Sequence, residues 1–144
     1  MYTTLLWATD GSEGAELALD EALRLLDPSG KLIVFHCDQR FLSSRAGGLP
    51  LLPDEEARRG HLRDRVAELV ADGVDAELVI ETTHRAVAHV IVEAAEKEHA
   101  DAIVCGSRGL SGLEGALLGS VSKALLNHAH LPVVVVPPRL AVEA

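Results

Sequence analysis

The chain has 144 residues, 48% of them apolar and 24% charged, which suits one globular domain over residues 1–144 with a core that needs no staples. A formal charge of −9 speaks against general affinity for nucleic acid or an anionic membrane surface, and no run approaches the roughly 20 apolar residues of a membrane span. Any anionic ligand would have to be held by local groups against the field of the whole chain. The opening Met1-Tyr2-Thr3-Thr4 enters an apolar run without a basic, signal-like start, so a cytoplasmic location is expected.

Residues 4–9 (TLLWAT) form a compact apolar run, the pattern of a buried strand. Asp10-Gly11-Ser12 breaks it, and a helical face follows through Ala15, Ala18, Leu19, Ala22, Leu25 and Leu26. Asp10 or Ser12 can cap that helix, with Glu13 and Glu16 suited to its first turn. Asp27-Pro28-Ser29-Gly30 ends it, and residues 31–37 (KLIVFHC) read as a second buried strand.

From 38 to 53 periodicity is lost and Ser, Gly and Pro collect, giving a connection of about 16 residues that is expected to be a mobile lid or disordered. Residues 54–72 return to helical spacing, with Leu62, Val66, Leu69 and Val70 inward and Arg58, Arg59, Arg63 and Arg65 largely outward. Gly73 is a natural residue beyond its end.

Over residues 74–80, Val74, Ala76, Leu78 and Ile80 alternate against Asp75 and Glu77, as an edge strand does. A third helix is expected over 84–99, with Val87, Val90, Ile91, Ala94 and Ala95 inward. Residues 102–105 make a fourth strand, a helix is expected from about Ser120 to Ala129, and Val133–Val136 makes a fifth strand.

Strands alternating with helices throughout imply an α/β fold: an open five-stranded parallel sheet with helices on both faces and right-handed crossovers, Rossmann-like. Ligands bind such sheets beyond the carboxyl ends of the strands, where strand order reverses. With order 3-2-1-4-5, Asp10 sits opposite Gly106, with Cys37 beside them. Cys37 and Cys105 then flank the first strand at roughly 9–10 Å, beyond disulfide reach, so two free and mostly buried thiols are expected.

The fourth strand runs into Gly106-x2-Gly109-x9-Gly119-Ser120. This is neither a P-loop nor a dinucleotide fingerprint, since the Walker lysine is missing and the loop follows the fourth strand rather than the first. Glycines let a backbone approach a ligand closely, and the N–H groups of Ser120, Val121 and Ser122 at a helix start favour anions. A phosphate site and a plain Gly-rich turn with Ser120 as N-cap both fit. Arg108 and Lys123 fit either a phosphate or solvent, Glu114 lacks a second catalytic group beside it, and His84, His89, His99, His128 and His130 show no metal spacing. Asp10 suits a ribose, a phosphate-bound Mg2+ or a helix cap.

Around that spacing the sequence resembles the nucleotide-binding branch of the universal stress protein family, nearly end to end. The resemblance includes Ala8-Thr9-Asp10-Gly11-Ser12, His36 near the end of the second strand, Gly106-Ser107-Arg108-Gly109 and Gly119-Ser120-Val121-Ser122. It implies a stress-response protein that binds ATP, with Mg2+ on its phosphates, and a homodimer joined through Val133–Val136. It further implies that Asp10 and the backbone at Ala8 and Thr9 contact adenine and ribose, with Cys37 packed near the base. Gly106, Ser107, Arg108, Gly109 and Gly112 would wrap ribose and phosphates, and Gly119, Ser120, Val121 and Ser122 would take the phosphate tail. Two departures touch the adenine wall: Thr82-Thr83-His84-Arg85 stands where the family often has Gly-x-Pro, and Cys105 replaces a common Met. No catalytic residue is assigned. The functions to be separated are a nucleotide-dependent regulator, a slow ATPase or nucleotide-activating enzyme, and a nucleotide-free dimerisation module.

Overall fold

The computed structural model describes residues 1–40, 53–107 and 118–138. Its elements run β1 (Tyr2–Ala8), α1 (Glu13–Leu25), β2 (Leu26–Gln39), α2 (Pro53–Ala71), β3 (Asp75–Thr83), α3 (Val87–Lys97), β4 (Ala102–Gly106), α4 (Ser120–His128) and β5 (Val133–Val136). The strands form one five-stranded sheet in the order β3-β2-β1-β4-β5, and every neighbouring pair is parallel. This is the expected order, with the switch point between β1 and β4.

The apolar runs explain the centre of the sheet. Side chains alternate across a strand, so a strand covered on both faces must be apolar at consecutive positions. In β1, Leu5 and Trp7 face α1 and α2, where they meet Ala18, Leu19, Leu62, Val34 and Val104. Leu6 and Ala8 face α3 and α4, packing with Ile33, Phe35, Val90, Ile91, Ile103 and Leu125. Trp7 is wholly buried, and its indole N–H donates to the Ala15 carbonyl at 2.8 Å, so the ring gains its packing area without an orphaned donor.

Several boundaries differ from the sequence expectation. β2 begins at Leu26 rather than residue 31, because its register against β1 jumps from Tyr2↔Leu26 to Thr4↔Lys31 and accommodates Pro28 and Gly30 as an irregularity. Gly30 is needed there, since a Cβ would lie 2.7 Å from the Thr3 carbonyl oxygen. β2 also continues through Asp38 and Gln39, and α2 starts at Pro53, so the connection is shorter at both ends than expected. Its order, over residues 41–52, lies outside the described residues.

α3 starts at Val87 rather than 84, after a turn in which the Thr83 hydroxyl accepts from the Arg85 N–H at 3.0 Å. Val70, expected inward, is exposed, and Arg58 and Arg59, expected outward, are drawn in by Glu55. β3 is an edge strand as its alternation implied.

Candidate functional site

The carboxyl ends of β1, β2 and β4 and the start of α4 enclose a cleft of about 210 Å³. At the end of β1, Ala8, Thr9 and Asp10 line it. The corner that follows is fixed from within: the Thr9 hydroxyl accepts from Gly11 N–H at 3.1 Å, and Asp10 Oδ1 accepts from Ser12 N–H at 2.9 Å. Gly11 has φ of 84°, a left-handed conformation that suits glycine. Ser12 is the N-cap of α1, accepting from Ala15 N–H at 3.3 Å, so both expected capping residues take part.

At the end of β4, Cys105, Gly106 and Ser107 line the opposite side. A Cβ on Gly106 would lie 2.9 Å from the backbone of Gly14, so glycine here lets α1 approach β4. The Ser107 carbonyl accepts from Gly119 N–H at 2.6 Å and from the Ser122 hydroxyl at 3.0 Å. These bonds tie the strand end to the helix start. The long glycine spacing thus brackets two points that meet in space.

α4 opens into the same cleft through Gly119, Ser120, Val121 and Ser122. Its hydrogen-bond ladder starts with Lys123 N–H on the Gly119 carbonyl at 3.0 Å, so the N–H groups of Ser120, Val121 and Ser122 precede the ladder. Gly119 is its N-cap and supplies no side-chain cap, in contrast to α1. Ser120 is therefore the first helical residue rather than the cap. Ser122 faces the cleft with its backbone, because its O–H is shared between the Ser107 and Gly119 carbonyls at 3.0 and 3.1 Å.

Cys37 completes the described candidates that line the cleft. Sequence reasoning missed Ala15, Phe35, Val87 and Ile91, which add an apolar wall. Arg108, Gly109, Gly112 and Glu114 lie outside the described residues. Lys123 is exposed.

Both thiols are free, with Cys105 buried as expected and Cys37 only half-buried. Burial, then the charges of Glu81, Asp38 and Glu55, push the Cys37 thiol up to about 11. Burial pushes Cys105 up to about 12. Both are therefore neutral thiols at physiological pH and poor nucleophiles. Iodoacetamide labelling of the native protein at mildly alkaline pH should run at least about tenfold slower than for an unstructured cysteine. Labelling of either residue at the unstructured rate would contradict this environment.

Behind the β1 corner, on the α2 side, sits a pair the sequence did not pair. His36 and Glu55 are each 2% exposed. His36 Nε2 lies 2.9 and 3.1 Å from the two Glu55 oxygens, and Nδ1 lies 2.9 Å from the Thr9 carbonyl oxygen. Glu55 also accepts from Arg59 Nε at 2.7 Å and Arg58 Nε at 3.3 Å. Arg59 continues to Thr82 Oγ1 at 3.0 Å and Asp38 at 3.4 Å. A histidine inside a strand must find polar partners, which was the available signal; its partner 19 residues on was not readable.

On the α3–α4 face, the His89 and His128 rings lie tilted at 40° with centroids 5.6 Å apart, beside His130, Glu93 and Glu96. Among the described residues no three His, Cys, Asp or Glu groups are placed to hold a metal ion. Among them, too, no helix is long and apolar enough to cross a membrane.

The sheet order and the cleft at its reversal define the class: a doubly wound α/β protein. The chain belongs to the universal stress protein family, whose pattern its residues 1–137 match. It is 30% identical to the universal stress protein YxiE of Bacillus subtilis, over 94% of this chain and 99% of that one. A 49-residue stretch, 34% of this chain, is 55% identical to the universal stress protein MJ0531 of Methanocaldococcus jannaschii and covers 29% of that protein. A crystal structure of a universal stress protein in complex with cAMP is similar at a TM-score of 0.69 and 30% identity, over 94% of this chain and 97% of that one.

Proposed function

We propose that the cleft binds an adenine nucleotide, ATP with Mg2+ on its phosphates, and that the chain serves as a dimeric, nucleotide-dependent regulator in a stress response. The observation that carries this reading is convergence: candidates chosen from separate segments of the sequence line a single cleft. Its two ends differ in chemistry. Ala8, Phe35, Cys37, Val87, Ile91 and Cys105 offer an apolar slot that suits a flat base. The N–H groups that open α4 offer an anion site whose donors are not consumed by the helix ladder. Asp10, at the rim between them, suits a ribose hydroxyl or phosphate-bound Mg2+. The family relative in complex with cAMP holds a ligand of the same base class.

A regulatory rather than catalytic role is supported by chemistry within the cleft. Its described lining holds one carboxylate, Asp10, and neither histidine nor lysine, so no acid/base pair is present there. Hydrolysis is accordingly proposed to be slow or absent. The dimer reading rests on β5, which pairs with β4 on one side only among the described strands and whose valines are all half-buried. An apolar edge of this kind must be covered or paired, and pairing with a second copy would do both.

The test is Gly119→Val. A branched side chain at the α4 N-cap would hold a phosphate away from the N–H groups, while leaving β-region backbone accessible to valine. Titration calorimetry with Mg-ATP should show affinity reduced roughly 10- to 100-fold, the loss of charge-assisted hydrogen bonds, with the circular dichroism spectrum retained. Unchanged affinity in the folded variant would place the phosphates elsewhere.

A further inference from the structure

We propose that His36 is a positioning residue for the cleft, which sets ligand affinity by holding the Thr9–Asp10–Gly11 corner. This rests on the adenine-nucleotide reading of the cleft. His36 itself does not line the cleft; it acts through Thr9, which does.

The Thr9 carbonyl can only accept, so Nδ1 carries a hydrogen. Nε2 faces the Glu55 carboxylate, which also takes hydrogen bonds from Arg58 and Arg59. The ring is buried, and both nitrogens have protein partners.

Groups from every neighbouring element hold the ring in place. From α2 come Glu55, Arg58 and Arg59; from β2 itself come Asp38 and, beyond it, Arg40, whose Nε donates to Asp38 at 2.8 Å. From β3 comes Thr82, bonded to Arg59, with Glu81 nearby on the same strand. From β1 comes the Thr9 carbonyl.

Glu55 also reaches the corner by a second route. Arg58, held at its Nε by Glu55, lies over Gly11, with its Cδ 3.0 Å from where a Gly11 Cβ would be. The hub therefore grips the corner at two successive points, Thr9 and Gly11, on either side of Asp10. A side chain at 36 without a donor would lose the contact with Thr9 and the link to α2 together.

The experiment uses the whole chain with labelled histidine. Mg-ATP affinity, measured by calorimetry at one fixed pH, should fall about tenfold in His36→Phe, the equivalent of one hydrogen bond. His36→Asn, whose amide can still donate to the Thr9 carbonyl, should recover part of that loss. In the wild type the ring-nitrogen signals of His36 should shift when Mg-ATP binds, together with the amide signals of Thr9, Asp10 and Gly11, although the ring does not line the cleft. Wild-type affinity in folded His36→Phe, or ring signals that ignore the ligand, would overturn the positioning role. Failure of the wild type to bind Mg-ATP would overturn the nucleotide reading and the affinity claim with it, while the corner amides of His36→Phe, compared with wild type, still judge the hold on the corner.

Discussion

Replacing Glu55 by alanine is expected to cost about 3–5 kcal/mol, the penalty for removing one partner of a buried ion pair. In the native protein Glu55 is the contact shared by His36, Arg59 and Arg58, and it is as buried as His36. Its removal leaves the His36 ring with the Thr9 carbonyl alone and takes the shared carboxylate from Arg58 and Arg59, the latter keeping Asp38 and Thr82. Against a typical total stability of about 5–15 kcal/mol, that loss is a large share. Urea unfolding followed by the fluorescence of Trp7, the sole tryptophan, would measure it. A change below about 1 kcal/mol would show that the hub is a surface-like network with little net worth.

The same carboxyl makes a pH prediction. Burial by itself raises the Glu55 carboxyl, but hydrogen bonds from Arg59, the charge and hydrogen bond of His36, and Arg58 outweigh it and hold the group below its ordinary value. A depressed carboxyl stabilises the fold fully above the value it has in the unfolded chain. That contribution is lost as the pH falls below the ordinary glutamate range and through the folded value. Acidification should therefore narrow the stability gap between wild type and Glu55→Ala.

Gly106→Ala is the second large effect expected. The added Cβ would meet the Gly14 carbonyl carbon and oxygen at 2.9 Å and Ala15 N at 3.3 Å. These are backbone atoms of α1, and Gly14 has no side chain to give way. Relief requires α1 to move off β4, at a cost of about 2–3 kcal/mol for overpacking. The start of α1 carries the Ser12 cap and the Asp10 turn, so the shift also opens the cleft. The variant should lose stability in urea and bind Mg-ATP more weakly. Wild-type stability would mean that the approach of α1 to β4 is looser than 2.9 Å implies.

Much of the fold was legible because central parallel strands are apolar at consecutive positions. Residues 4–9, 31–37 and 102–105 could hardly be anything but buried strands, and β3 declared itself an edge by alternating. What escaped was tertiary. Pro28 and Gly30 look like the end of a turn, yet β2 passes through them because its register with β1 can slip. Val70 continued the apolar spacing of α2 but lies on the side the sheet does not cover.

The polar side of the cleft was legible from glycine, serine and aspartate at positions where only close approach or capping explains them. Its apolar wall was not, because Phe35, Val87 and Ile91 have the same residue types as the rest of the core. Glu55 was hidden for a different reason. A carboxylate in the first turn of a helix already has a use against the helix dipole, so nothing in the sequence asks for a second partner. Only the folded chain brings it under His36.

The central claim, that the cleft holds an adenine nucleotide, is tested most directly by titration calorimetry of the purified wild-type chain with Mg-ATP, after any carried-over ligand has been removed and identified by mass spectrometry. The account predicts saturable binding of one nucleotide per chain, with an adenine nucleotide in the extract when the protein is purified without stripping. No binding of Mg-ATP by the stripped protein, together with an extract free of adenine nucleotide, would contradict it.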